Sequence, residues 1–187
     1  TIAGLWIERH AAGESLAITT TTNDHVDAIN QLIHERRAER DLDTTRNALI
    51  ADGTAVCVGD VVATRRNHRQ LRTTTGDIVR NRELWTVAGI GAGGELTVTG
   101  IDGHGTVTLP ADYVREHVRL GYAATEPGNQ SATHTASITL ATPATTGRGL
   151  YVAMTRGRDE NLVLVVADTH DIAEARDVLE GIIASDR

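Results

Sequence analysis

The pattern of hydrophobic and polar positions changes twice along the chain. A β-branched run at residues 16–22 precedes a segment in which Val26, Ile29 and Ile33 recur at helical spacing, with Asn23 as the predicted N-cap. A strand that leads directly into a helix is typical of parallel α/β sheets. The first segment therefore predicts one strand–helix unit of such a sheet.

After Gly59 the pattern becomes that of short antiparallel strands. Four alternating stretches are separated by Gly, Asn and Asp: GDVVATRR, LWTVAGI, ELTVTGI and GTVTLP. Turn signals lie at Gly76-Asp77, at Gly91 to Gly94 and at Asp102-Gly103, a spacing close to the roughly 8 to 12 residues of small β folds. This pattern predicts a compact all-β insertion.

The parallel α/β pattern returns after the stretch GYAAT. We expect a strand at 137–140, a helix at 147–156 and an apolar strand at 161–167 that is suited to burial on both faces. A final amphipathic helix has one apolar face. Its residues are Ile172, Ala175, Val178, Leu179 and Ile182. The predicted organisation is an α/β domain at 1–53 and 121–187, interrupted by a β insertion at 54–120.

Composition restricts the chemistry. All 18 basic residues are Arg, and a P-loop of the form G-x-x-x-x-G-K-[ST] needs a lysine, so this chain alone cannot hold a nucleoside triphosphate in that way. The sequence has neither an apolar run of about 18 residues nor a signal-peptide pattern, so we expect a cytoplasmic protein with no membrane partner. The eight His residues lack metal-ligand spacing, which predicts no metal site.

The net charge of −7 is unevenly distributed. Residues 1–53 carry 5 Arg against 9 acidic residues, 54–120 carry 8 against 7, and 121–187 carry 5 against 9. Six arginines fall within 18 consecutive residues of the middle segment, and we call them the arginine cluster. They are Arg65, Arg66, Arg69, Arg72, Arg80 and Arg82. The arginine cluster is a candidate for binding a polyanion, and a solvated loop is the alternative.

Four segments in colinear order resemble known helicase motifs. LYVAMTRGRDENLVLVV resembles the last motif of superfamily 1 helicases, and GYAAT…Q…AT resembles the motif before it. TTTTNDHVDAINQLIHERR resembles the fourth motif and its helix. GDVVATRRN, GDIVRNRELWTV and LPADYVREHVRLGYA resemble the β insertion of the RecD-like branch, in the version attached to MobF-type conjugative relaxases of the TraA kind.

The resemblance covers nearly the whole chain and implies its fold and its partners. The implied fold is a RecA-like second motor domain with a parallel sheet, interrupted by a small SH3-like β barrel. Such helicases hydrolyse ATP between two RecA-like halves and move along single-stranded DNA. The implied partners are therefore single-stranded DNA and a P-loop-bearing first motor domain in cis, which would bind most of the ATP and Mg. On this chain alone we expect no cofactor.

The resemblance also implies nucleotide-binding residues. Arg156, at the end of a predicted helix, is the expected arginine finger, because a guanidinium donated across an interface accelerates phosphoryl transfer by about 10³- to 10⁵-fold. An arginine that satisfies carbonyl groups at a helix end is the alternative. Gln130 and Arg158 are further nucleotide-binding candidates, and Arg158 has the alternative of a salt bridge with Asp159 or Glu160.

The DNA-binding candidates are polar, basic or aromatic residues of the insertion and of the helicase-like motifs. They are Thr22, Asn23, Arg65, Arg66, Arg69, Trp85, Thr125 and Thr133. In the insertion, arginines would follow the phosphates while Trp85 stacks a base. A core position is the alternative for Trp85, and helix capping is the alternative for Thr22 and Asn23.

The stretch TEPGNQSAT departs from the family pattern T-x-H-x-x-Q-G-x-T. It keeps Thr125, Gln130 and Thr133, and it places Pro127 and Ser131 where His and Gly stand in the pattern. Two functions therefore compete. The intact TRGR favours the motor half of a DNA translocase or helicase, and the altered stretch favours a degenerate, non-enzymatic adaptor that binds DNA or protein.

Overall fold

The structure, a computed structural model, describes residues 1–126, 134–169 and 171–185. The helices in this part are α1 (Ile2–Ala11), α2 (Asn23–Ala38), α3 (Ala111–His117), α4 (Gly147–Ala153) and α5 (Ile172–Ala184). The strands are β1 (Leu16–Thr20), β2 (Asp43–Leu49), β3 (Ala55–Val58), β4 (Val61–Thr64), β5 (His68–Arg72), β6 (Ile78–Val79), β7 (Leu84–Ile90), β8 (Leu96–Gly100), β9 (Thr106–Leu109), β10 (Val118–Leu120), β11 (Ala123–Thr125), β12 (His134–Ala141) and β13 (Gly157–Val165).

The chain forms two compact units. Residues 1–29 and 123–187 form the first, which we call the parallel-sheet unit, and residues 30–122 form the second, the antiparallel-sheet unit. The predicted α/β class with both a parallel sheet and an antiparallel part is confirmed. The exact domain boundaries and the SH3-like nature of the insertion remain predictions. Among the described helices, none is long and apolar enough to cross a membrane.

The parallel sheet has the strand order β11-β1-β12-β13, and every pairing in it is parallel. All five residues of β1 are buried, so this strand lies in the middle of the core. The predicted step from β1 into α2 is confirmed, but the predicted N-cap is wrong by one residue. The hydroxyl of Thr22 accepts a hydrogen bond from the His25 N–H at 3.3 Å, and Asn23 is the first residue of the helix.

The apolar strand β13 differs from the prediction that it is buried on both faces. It lies at the edge of the described sheet with β12 as its neighbour, and Leu164 is 36% exposed. An apolar run does not distinguish a central strand from an edge strand with one covered face. Helix α5 contributes to the cover through Val178, Leu179 and Ile182, as the apolar pattern predicts, whereas Ile172 is exposed.

The start of β13 is held by a bulge. His134 pairs with Gly157 and Ala136 pairs with Glu160, so β13 has one residue more than β12 between these pairs. The side chain of Asn161 closes the bulge, because its oxygen accepts from the Gly157 N–H and its amide donates to the Gly157 carbonyl, both at 2.9 Å. This arrangement fixes the chain where α4 passes into β13.

The antiparallel-sheet unit contains a sheet of order β10-β4-β7-β8-β9. Four of its strands, β4, β7, β8 and β9, correspond to the four predicted stretches. The predicted turns are present, with φ of 89° at both Gly76 and Gly94 and 79° at Gly103, a region that favours glycine. The pairs β2-β3 and β5-β6 and the helix α3 were not predicted.

A buried polar network surrounds Asp60, which is fully buried. Its Oδ2 accepts from the Cys57 N–H at 2.7 Å, and its Oδ1 pairs with His34 Nδ1 at 2.9 Å and accepts from the Tyr122 hydroxyl. Arg37 of α2 donates to the Gly59 carbonyl at 2.8 Å and to the Tyr122 hydroxyl at 3.3 Å. The network therefore ties α2 to the β3–β4 turn and to Tyr122, which lies between β10 and β11.

The network changes the acid–base behaviour of its members. The hydrogen bond to Asp60 raises the pKa of His34 above its ordinary value, despite the opposing effect of burial. Burial raises the pKa of Tyr122 well above its usual range, and Asp60 adds to this rise. Tyr122 therefore acts in this network as a neutral hydrogen-bond donor.

The bulge at Gly157 predicts a position-specific effect of alanine. A Cβ at Gly157 would lie 2.1 Å from the Glu160 carbonyl oxygen and 2.7 Å from the Ser137 nitrogen, both of which are backbone atoms. We expect Gly157→Ala to destabilise the protein by about 3 kcal/mol. The matched control is Gly181→Ala in α5, where the new methyl group would meet no atom within 4 Å and should stabilise the helix by about 1 kcal/mol. Equal changes in the free energy of unfolding of the two variants, measured by urea titration, would contradict the close backbone contacts at the bulge.

The pair His34–Asp60 predicts a pH dependence of stability. The pKa of His34 is raised in the folded chain, so its contribution is fully present below the unfolded pKa of about 6.5 and is lost as the pH rises through the folded pKa. The free energy of unfolding should therefore fall over this window in the wild-type protein. In His34→Gln, which cannot titrate, this component should be absent. Identical pH profiles for the two proteins in denaturant titrations would refute the assignment.

Candidate functional site

Arg156 lies between the end of α4 and the bulge of β13. Helix α4 begins after Thr146, whose hydroxyl accepts from the Gly149 N–H at 3.0 Å, and it buries Leu150 and Ala153. The Nε–H of Arg156 donates to the Val152 carbonyl at 3.1 Å, and a second guanidinium nitrogen donates to the Thr155 hydroxyl at 2.9 Å. The guanidinium is therefore held at a fixed place at the helix end.

The neighbours of Arg156 are exposed. Tyr151 is 72% exposed, and Met154 is also exposed. Arg158 forms the alternative contact, a salt bridge to Asp159 at 3.0 Å, and both side chains are exposed. The end of α4 thus presents apolar and cationic side chains together.

The carboxyl ends of the parallel strands, opposite the end at which Arg156 lies, are rich in threonine. Thr20 and Thr125 are paired at the ends of β1 and β11. A small cavity of about 110 Å³ lies here, and the hydroxyls of Thr20 and Thr139, two of its lining residues, are buried with no hydrogen-bond partner among the described residues. Sequence reasoning missed this feature, although the run of four threonines at 19–22 is visible in the sequence.

In the parallel-sheet unit, the residues predicted to bind nucleotide and those predicted to bind DNA lie at opposite ends of the parallel strands. Because all its strands are parallel, Arg156 lies where β13 begins, whereas Thr125 lies where β11 ends and Thr22 and Asn23 follow the end of β1. Gln130 and Thr133 lie outside the described residues. The parallel sheet therefore separates the two groups by the length of its strands.

The arginine cluster is exposed throughout. Its first members follow β4, and the connection from β4 to β5 is held against α3. The Arg65 N–H donates to the His117 carbonyl at 2.7 Å, and the Tyr113 hydroxyl donates to the Arg66 carbonyl. Arg82 adopts a left-handed backbone conformation with φ of 69°, the only described residue other than glycine with positive φ. The structure thus displays all six guanidinium groups on the surface of the antiparallel-sheet unit.

The prediction that Trp85 stacks a base is wrong. Its side chain is 0% exposed in the core of the five-stranded sheet, and its indole N–H donates to the Thr64 hydroxyl at 3.2 Å. The same hydroxyl donates to the Arg80 carbonyl at 2.6 Å. Trp85 therefore supports the arginine cluster from inside, and the pattern LWTVAGI was the signal of an inward-facing position.

Comparison with known proteins gives matches at the level of structure. No protein-family model matches the chain, and no curated protein matches it. The chain is similar to a structure of two coordinating Pif1 helicases that unwind forked double-stranded DNA, with a TM-score of 0.54 and 17% identity over 80% of this chain and 39% of that chain.

Two further structures give the same result. For the Bacteroides Pif1 helicase in complex with ADP-AlF3 and single-stranded DNA, the TM-score is 0.54 and the identity 16%, over 86% of this chain and 42% of that chain. For the Candida albicans Pif1 helicase the values are 0.53 and 14%, over 90% and 48%. The chain spans less than half the length of these helicases. The chain therefore shares its fold with part of these helicase structures.

Proposed function

We propose that this chain is the C-terminal motor half of an ATP-dependent single-stranded DNA translocase or helicase, within a conjugative relaxase of the MobF type. The observation that carries the proposal is the position of Arg156, fixed at the end of α4 in a domain with a superfamily 1 helicase fold. The relaxase context rests on the resemblance of the insertion to the TraA kind. A P-loop-bearing first motor domain in cis would complete the ATPase site.

In this proposal Arg156 acts as an arginine finger. Phosphoryl transfer places negative charge on the γ-phosphate oxygens, and a guanidinium stabilises this charge by forked hydrogen bonds. The bonds from Arg156 to Val152 and Thr155 reduce the entropy that the side chain would lose on meeting the phosphate. Arg158 and Gln130 are the secondary nucleotide-binding candidates, and Arg158 would have to exchange its bond to Asp159.

The chain offers little to hold ATP and Mg by itself. It has no lysine for a P-loop, and the described residues contain no group of three or more His, Cys, Asp or Glu side chains that could hold a metal ion. In the proposal, ATP and Mg are therefore held mainly by the first motor domain. The exposed Tyr151 and Met154 beside Arg156 are consistent with a surface that another domain covers.

Single-stranded DNA is the proposed nucleic-acid substrate, along which the complete motor would move. The arginine cluster would contact its phosphates, mainly through Arg65, Arg66 and Arg69 on the antiparallel-sheet unit. Thr22, Asn23 and Thr125 would contact the DNA backbone from the carboxyl ends of the parallel strands, where hydroxyl and amide groups suit phosphate oxygens. Thr133 is a further candidate for contact with DNA. The Thr22 hydroxyl also caps α2, so its contact with DNA would compete with a local bond.

A specific observation favours the alternative, a non-enzymatic adaptor. The guanidinium of Arg156 already satisfies the Val152 carbonyl near the end of α4, as expected for an arginine with a structural role. Such an adaptor would need no ATP and would bind DNA or protein through the antiparallel-sheet unit. The two candidates therefore differ in the effect of Arg156 on ATP turnover.

Binding to DNA is tested by its salt dependence. If three to four arginines of the cluster contact phosphates, the logarithm of the association constant for single-stranded DNA should fall with log salt at a slope of about −2 to −3. Arg65→Ala/Arg66→Ala should make the slope shallower by about 1, as measured by fluorescence anisotropy. The control is Arg40→Ala/Arg176→Ala, which removes the same charge outside the cluster. An unchanged slope in the cluster variant would show that the arginine cluster is a solvated surface that does not contact DNA phosphates.

The role of Arg156 is tested in a protein that includes the first motor domain. Arg156→Ala should lower kcat for ATP by at least about 100-fold and change KM much less, because the contact forms mainly in the transition state. Arg158→Ala is the matched control and should have a much smaller effect. Thermal unfolding of both variants checks that the fold survives. Near-normal turnover in Arg156→Ala, in a folded protein, would favour the adaptor.

A further inference from the structure

A groove of about 510 Å³ lies beside the arginine cluster, within the antiparallel-sheet unit. One wall is the segment from Arg66 to Gln70, and the other is formed by Pro110 and helix α3. The groove has the size of a site for a small molecule or for a nucleotide unit of a polymer. Sequence reasoning did not reveal it, because α3 was not predicted.

The two walls carry opposite charge. Arg66 and Arg69 lie on one side, and Asp112 and Glu116 lie on the other. All four side chains are exposed, and within the described part of the chain no ion pair joins the two walls. Glu116 lies 3.5 Å from His117 Nε2 within its own wall. Opposite charges that face each other across an open groove match a ligand that is anionic along one side and carries hydrogen-bond donors along the other.

The inner surface between the walls is packed around Tyr113. Tyr113 is buried, its hydroxyl donates to the Arg66 carbonyl, and burial raises its pKa to about 12. The rings of His68 and His117 meet the Tyr113 ring edge-on, with centroids 5.6 Å and 5.2 Å away. Arg66 also contacts His117 Nε2 at 3.1 Å. The spacing of the walls is therefore set by packing and hydrogen bonds, independently of any ligand.

We infer that this groove reads the bases of the single strand and discriminates against thymine. The inference rests on the proposed binding of single-stranded DNA. The strand runs with its phosphates toward Arg66 and Arg69 and its bases toward Asp112 and Glu116. Carboxylate oxygens only accept hydrogen bonds when ionised, so they select bases that offer amino groups. Cytosine presents the two protons of its N4 amino group. Thymine presents a single donor, the N3–H, between the acceptors O4 and O2, which repel a carboxylate.

The carboxylates have a cost that supports a specific role. Two acidic groups beside a phosphate backbone weaken non-specific binding, because they oppose the attraction of the arginines. A groove designed only for affinity would lack them. In this arrangement the two carboxylates lower the affinity for every single strand. A base that donates a hydrogen bond to them restores part of that affinity.

The test compares the 10-nucleotide oligomers of dC and dT, both end-labelled, by fluorescence anisotropy at pH 8 and low salt. The two oligomers have the same charge and the same length, so phosphate contacts are equal. We expect the wild-type chain to bind the dC oligomer about tenfold more tightly. Asp112→Asn/Glu116→Gln should reduce this ratio to less than about twofold, since amide groups both donate and accept.

The control variant is Asp52→Asn/Asp102→Asn, which removes two negative charges from exposed turns of the same unit outside the groove. It should bind both oligomers slightly more tightly and keep the tenfold ratio. If the groove carboxylates acted only through their charge, the groove variant would behave in the same way, and the inference would be wrong. Equal affinities of the wild-type chain for dC and dT would also overturn it while leaving DNA binding intact. If neither oligomer bound, the result would instead contradict the proposed function.

Discussion

The buried carboxylate of Asp60 joins three parts of the chain that are distant in sequence: helix α2, the β3–β4 turn and Tyr122. It immediately precedes β4, the strand that leads to Arg65 and Arg66, so the position of the arginine cluster depends on it. Removing one partner of a buried pair costs about 3 to 5 kcal/mol, because the remaining group is left unpaired. Gly59, with φ of 97°, allows the backbone to bring Asp60 to this place.

A second constraint comes from the parallel sheet. Strands that all run in one direction give the sheet an amino end and a carboxyl end that differ chemically. Arg156 lies at the amino end and Thr125 at the carboxyl end. In the proposed motor, nucleotide and DNA therefore act on opposite ends of the same strands. The bulge closed by Asn161 keeps the Arg156 end in place, since it bonds both backbone groups of Gly157.

Much of the fold follows from local patterns, and the candidate site follows less completely. Alternation and turn residues predict β4, β7, β8 and β9, and periodicity predicts α2 and α5, because each pattern reflects one buried face. The edge position of β13, the burial of Trp85 and the groove beside α3 depend on which elements pack together, which no local pattern specifies. Arg156 was identified through its resemblance to a helicase motif, whereas the roles of Asp60 and Asn161 become visible only through their hydrogen bonds.

In the proposed motor, this chain supplies one wall of the ATPase site and cannot complete the site alone. The most direct measurement is ATP turnover by the purified 187-residue chain with saturating single-stranded DNA, together with DNA binding in the same sample. We expect DNA binding without ATP hydrolysis above the buffer rate, because the chain has no lysine for a P-loop. DNA-stimulated hydrolysis by the isolated chain would contradict it.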